Sequence, residues 1–92
     1  LTSLKDNSFS PNLKLYPNPV KSGNTLFLSK DDNFNIENAE LFSLNGKLIS
    51  NIRFQNLGKE YLLELENDVP PSIYYIVIKE KKANYIQKII IQ

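Results

Sequence analysis

The sequence predicts an all-β domain, an immunoglobulin-like antiparallel β-sandwich of about seven short strands. Three observations predict it. Short runs rich in β-branched and aromatic residues recur along the chain, several with apolar and polar positions in alternation. Clusters of Gly, Pro and Asn separate these runs about every ten residues. No convincing helix competes with them. The antibody-type Cys–Trp–Cys pin is missing, because the 92 residues contain no Cys and no Trp.

Residues 1–12 mix Ser, Asn, Asp and Pro with isolated apolar positions and show no period, which reads as a linker or junction to an upstream segment. The chain opens on Leu1 rather than Met, as expected of a piece cut from the end of something longer. Leu13 and Leu15 then alternate with Lys14, the pattern of a half-buried strand. Pro17 and Pro19 remove two backbone donors and fix φ, so this strand ends in a rigid corner. Asn18, preceding a proline, is biased to extended geometry. The corner leads to a turn at 21–24, where Gly23 can supply a positive φ.

A strand over 25–29 puts Leu26 and Leu28 on one face. Residues 30–38 read as a polar loop with Phe34 and Ile36 plugging the edge of the core. A strand over 39–44 runs into Asn45 and Gly46, a pair suited to a type I′ turn with both residues at positive φ. Residues 47–57 read as one strand, with Leu48, Ile52 and Phe54 in phase and Ser50 interrupting that face. A turn at 56–59 follows. In the strand over 60–66, Tyr61, Leu63 and Leu65 point inward, with Glu64 and Glu66 outward; its short length between Gly58 and Pro70 decides against a helical turn. Residues 68–72 form a proline-stiffened corner.

The chain is organised around what comes last. Residues 73–78 and 85–91 are two β-rich runs flanking a polar tip at 79–84, a hairpin with buried arms and a wet turn. The second arm runs to Ile91, one residue before the sequence ends at Gln92, so the terminus itself is expected to be part of what a partner reads.

Length gives one domain with one modest core. A net charge of +1 argues against a nucleic-acid surface or a polybasic membrane anchor. With no Cys and no His, thiolate chemistry, imidazole bases and the usual zinc ligands are excluded. No run approaches the ~20 apolar residues of a membrane-spanning helix, and no secretion signal stands at the start.

Candidate chemistry is sparse. Glu64 and Glu66 sit about 7 Å apart along one strand face, near a glycosidase separation, but no pocket-forming segment accompanies them and they read as a solvated face. Asp31, Asp32 and Asn33 with Glu37 offer oxygen ligands for calcium without the spacing or turn glycine of a recognised loop, so a polar loop tip is the better reading. Lys79, Lys81 and Lys82, offset by Glu80, could touch phosphate or lipopolysaccharide, and read more simply as a solvated hairpin end. Tyr74, Tyr75 and Tyr85 could stack on sugars or bases, yet Tyr74 and Tyr75 point to opposite faces and cannot form one platform. The expectation is no catalytic, metal or cofactor-binding residue.

Three segments carry a resemblance. Leu15, Tyr16, Pro17, Asn18, Pro19 and Val20, with Gly23 behind them, form the first. Residues 41–48, holding Gly46 and Lys47, form the second. Residues 71–78 and 87–92 form the third. In this order they resemble the opening, central and closing motifs of the C-terminal sorting domain of the type IX (Por) secretion system of the Bacteroidetes, over residues 13–92. One position departs: Ser72 stands where the family usually has Gly, and a positive φ there would cost Ser about 1 kcal/mol or more.

The resemblance implies a non-catalytic signal that directs a covalently fused N-terminal cargo across the outer membrane. It implies entry to the periplasm under a separate signal, and recognition by the outer-membrane translocon and its shuttle proteins. Removal by a sortase-like protease within or before residues 1–12 follows, with the cargo anchored to lipopolysaccharide at the cell surface or released. Nucleic acid has no part in it. Recognition is expected at Lys88, Ile89, Ile90, Ile91 and Gln92, supported by Tyr74 and Tyr75, through β-augmentation on an unpaired strand edge. Leu15 to Val20 would fix the entry corner of the fold. The alternative is a carbohydrate-binding or adhesion module, which requires an exposed coplanar aromatic patch and glycan affinity; a structural spacer requires neither.

Overall fold

Alternating apolar residues give each strand one buried face, and two such faces close on each other to make the core. The computed structural model describes residues 13–30, 34–81 and 83–92. The linker at 1–12, the calcium candidates Asp31, Asp32 and Asn33, and Lys82 of the basic tip lie outside the described residues. Eight strands follow in order: β1 (Lys14–Tyr16), β2 (Thr25–Ser29), β3 (Ile36–Ser43), β4 (Leu48–Asn51), β5 (Arg53–Asn56), β6 (Glu60–Glu64), β7 (Ser72–Glu80) and β8 (Asn84–Ile91).

They form two antiparallel four-stranded sheets, ordered β1-β2-β6-β5 and β4-β3-β7-β8. The first reproduces the four-stranded sheet of a constant-type immunoglobulin domain, and the second its three-stranded partner with one strand added. Leu26, Leu28 and Leu63 from the first sheet share a fully buried cluster with Leu41, Ile76, Ile78 and Ile89 from the second. Tyr61 and Leu65 are buried as their alternation requires, and Glu64 and Glu66 are exposed.

There are eight strands, not seven, because 47–57 is not one strand. The chain leaves the second sheet after β4 and joins the first at β5. At the crossing Ile52 is buried, and its N–H donates to the Ala39 carbonyl at 2.8 Å. A strand that changes sheet loses its phase, so Leu48 is 47% exposed while Phe54 packs against the core. β3 also starts earlier than position 39. Phe34 and Ile36 are buried as plugs, but Ile36 is already paired with β7 ahead of a register shift at Asn38. Its N–H donates to the Tyr61 hydroxyl across the sandwich, at 3.1 Å.

The Asn45–Gly46 turn is of a different type from the one expected. No non-glycine residue among those described has a positive φ, while Gly46 has φ 88°. The loop spans residues 44–46: Gly46 N–H donates to Ser43 C=O at 3.0 Å, and Ser43 N–H to Lys47 C=O at 2.9 Å. This is the three-residue hairpin loop, a type I turn closed by a left-handed glycine. Ser72 opens β7 with no left-handed strain, so the cost of lacking glycine there does not arise. Gly23 is needed for its φ of 80°, and a Cβ there would also have to push the exposed Asn67 side chain aside.

Two stability measurements check this architecture. Gly46→Ala should lower the urea-denaturation free energy by about 1 kcal/mol or more, through forced left-handed geometry. Ile89 and Ile90 are sequence neighbours on opposite faces, one fully buried and the other 43% exposed. Ile89→Ala should cost about 2–5 kcal/mol and Ile90→Ala within about 0.5 kcal/mol; equal effects would contradict the assigned faces.

Candidate functional site

The terminal hairpin is built from residues that favour strands on both arms. β7 and β8 pair without a register shift from Ser72 opposite Ile91 to Lys79 opposite Asn84, and Glu80 N–H closes the tip on Ala83 C=O at 2.9 Å. In such a ladder alternate residues turn their backbone groups away from the partner. Here those residues are Asn84, Ile86, Lys88 and Ile90, with Gln92 continuing the series.

A second segment lies along half of that outer edge. Val20 bridges Ile91 in parallel. Val20 N–H donates to Ile90 C=O at 2.9 Å, Gln92 N–H to Val20 C=O at 2.7 Å, and Ser22 N–H to the Gln92 main-chain oxygen at 3.0 Å. One step earlier, the Asn18 side chain does the pairing: its Nδ2 donates to Lys88 C=O at 3.2 Å, and its Oδ1 accepts from Ile90 N–H at 3.0 Å. The backbone edge at 88–92, expected to be unpaired, is therefore occupied from within the chain. Along β8 the open rim of amides is reduced to Asn84, Ile86 and the N–H of Lys88.

This strap, residues 16–22, is tied to both sheets. Tyr16 stacks on Phe27 with centroids 5.6 Å apart, and its hydroxyl donates to the Glu60 carboxylate. That bond to Glu60 holds the phenol above its ordinary pKa. At the other end Ser22 Oγ lies 2.7 Å from Val69 C=O, the nearer of two carbonyls it can donate to. Between them the Tyr16–Pro17 and Asn18–Pro19 peptide bonds are cis, and Val20 is buried.

The side chains divide by parity. Ile89 and Ile91 belong to the core, as does Tyr74, whose hydroxyl donates to Pro70 C=O. Lys88, Ile90 and Gln92 are exposed, and Tyr75 is half-buried on the outer face. Leu15 packs against the core; Gly46 and Lys47 lie in the β3–β4 loop. On the outer face, Leu48, Phe42, Tyr75 and Lys88 stand opposite one another across all four strands. Ile73 faces Ile90 in the next row; they are 39% and 43% exposed. Leu44, 52% exposed, stands just past β3 at the same end of the sheet.

At the other end of the face the character changes. Glu40 and Lys79 form an ion pair at 3.0 Å, with the Glu40 carboxylate largely covered. Val77, opposite Glu40 and Ile86, is fully buried although it lies outside the core cluster. Phe42, Leu44, Leu48 and Ile73 are members of this face that the sequence reading did not select. The hairpin register would have paired Ile73 with Ile90; the contributions of β3 and β4 depend on sheet order, which alternation does not encode.

Other candidates contribute little chemistry. An open depression of about 960 Å³ does lie beside Glu64 and Glu66, lined also by Asp68, Arg53 and Asn51 and by no aromatic ring. Among the described residues no three acidic, His or Cys groups are placed to hold a metal ion. Tyr16 and Phe27 stack face to face, so neither lies beside the other as a coplanar platform would require. Tyr85 packs against Phe34, 5.5 Å between centroids.

No curated protein matches the sequence. Comparison with family models matches residues 14–92 to the secretion system C-terminal sorting domain. That match takes in every strand and the strap, and the chain belongs to the family of type IX secretion C-terminal sorting domains.

Proposed function

We propose that this domain is a non-catalytic address read on the outer face of its terminal hairpin. Membership of the family gives the coarse function, a type IX sorting signal that sends its protein toward the cell surface or out of the cell. The finer reading is that it directs a covalently fused N-terminal cargo from the periplasm across the outer membrane. The translocon and its shuttle proteins engage it, and a sortase-like protease then removes it within or before residues 1–12.

The observation that carries the reading is the apolar end of the outer face. Ile73, Tyr75 and Ile90 expose apolar surface where burial by the fold itself ends, with Phe42, Leu44 and Leu48 alongside. Contiguous exposed apolar surface of this kind marks a contact with another macromolecule. Lys88 stands beside Tyr75 at its border, so the fitting partner is an apolar protein surface of the translocon with a carboxylate or carbonyl for the ammonium. Of the residues expected to be read, Lys88, Ile90, Gln92 and Tyr75 make the contact. Ile89, Ile91 and Tyr74 hold it from beneath.

Deleting residues 88–92 would remove core side chains and the edge that the strap pairs with, so substitutions on the face are the cleaner test. Ile73→Asp and Ile90→Asp, made one at a time because the two positions face each other and paired carboxylates would repel, should each cost about 1 kcal/mol and leave the domain folded. Surface delivery of a fused reporter in a type IX-competent cell should fall about tenfold or more, because an unpaired carboxylate is costly inside an apolar contact. Delivery at the unsubstituted level would sink the reading.

A further inference from the structure

We infer that Asn18 is a positioning residue: its carboxamide stands in for a peptide group and locks residues 88–92 in the form that export machinery reads. The second half of this statement rests on the sorting reading above; the first does not. A strand partner must present donors and acceptors at peptide spacing along the edge it covers. Pro17 and Pro19 have no N–H, so the strap backbone on either side of Asn18 is short of donors. The Asn18 side chain carries one acceptor and one NH₂ in the same plane, the functional pair of a peptide bond. It applies them to Lys88 C=O and Ile90 N–H, continuing by one step the parallel pairing that Val20 and Ser22 make with Ile90 and Gln92.

No other side chain on the same stem does this. Asp keeps the acceptor and loses the donor; Ser has a single hydroxyl; Gln is a methylene too long. The two ends of the lock are not equivalent. Lys88 C=O also receives Gln87 Nε2 at 3.2 Å, whereas Asn18 Oδ1 is the acceptor recorded for Ile90 N–H. Ile90 N–H is therefore the group that Asn18 governs, and Ile90 is the exposed side chain at the centre of the proposed contact. The strap cannot drift with it, since Tyr16 is held on Phe27 and Glu60, and Ser22 on Val69. A closed edge at 88–92 also means that the partner reads a fixed face there rather than adding a strand.

The test compares the full chain with Asn18→Ala, Asn18→Asp and Leu28→Val, the last thinning the core from the sheet opposite β8. Amide hydrogen exchange is followed as the rate at Ile90 relative to Ile89, a ratio that uniform destabilisation does not raise. Asn18→Ala should raise the ratio about tenfold through loss of one hydrogen bond, while Leu28→Val does not raise it. Asn18→Asp sets a carboxylate oxygen against Lys88 C=O, which pushes the side chain off the edge, so the ratio should rise there too; this variant carries the test if the alanine variant does not fold. Reporter delivery should fall with Asn18→Ala and persist with Leu28→Val. An unmoved ratio in Asn18→Ala, or in Asn18→Asp where the alanine variant does not fold, would overturn the lock. A raised ratio with full delivery would reduce Asn18 to a structural tie. If the face substitutions of the preceding section also deliver normally, the sorting reading at that face has failed, and the exchange result still decides the lock.

Discussion

Five hydrogen bonds along the outer edge of β8 are the constraint on which the presented form of this domain depends. A strand at the rim of a sheet exposes a row of donors and acceptors, which invites unwanted pairing. Here the first connection of the fold, between β1 and β2, passes over that rim. It satisfies the rim from Lys88 to Gln92 and joins the outermost strands of the two sheets on one side of the sandwich. A chain with no cysteine has no disulfide to make this closure, so it is made by packing and hydrogen bonding alone.

Closing the edge moves attention to the face. Strand addition at 88–92 would require the strap to leave, losing Val20 from the core and the bonds of Asn18 and Ser22 together. The outer face needs no such rearrangement. It is apolar at the end where β7 begins and β8 finishes, and polar at the hairpin tip, where Glu40 and Lys79 pair. One face with two characters gives a partner both a place to bury surface and an orientation. The exposed Lys88 marks the boundary on the β8 side.

The motifs divide their labour between fold and presentation. Within the first, Leu15 and Val20 belong to the interior while Asn18 ties the edge. Within the third, successive residues alternate between core and face, Tyr74 against Tyr75 and Ile89 against Ile90. Such interleaving lets one small set of strands make the core and also place the side chains of the proposed contact.

The sequence by itself determined the all-β class and the inward faces of most strands. Leu26 with Leu28, Tyr61 with Leu63 and Leu65, and Ile89 with Ile91 all follow from a period of two, which is a local property of the chain. It also carried the family, because motif order is written along the chain. Tertiary structure alone decided the rest. The change of sheet at Ile52, the early start of β3 and the strap over β8 each depend on which distant segment supplies the partner. Asn18 and Ile90 are 72 positions apart. No local pattern encodes a bond of that span, because its partner is chosen only when the two sheets close on their common core.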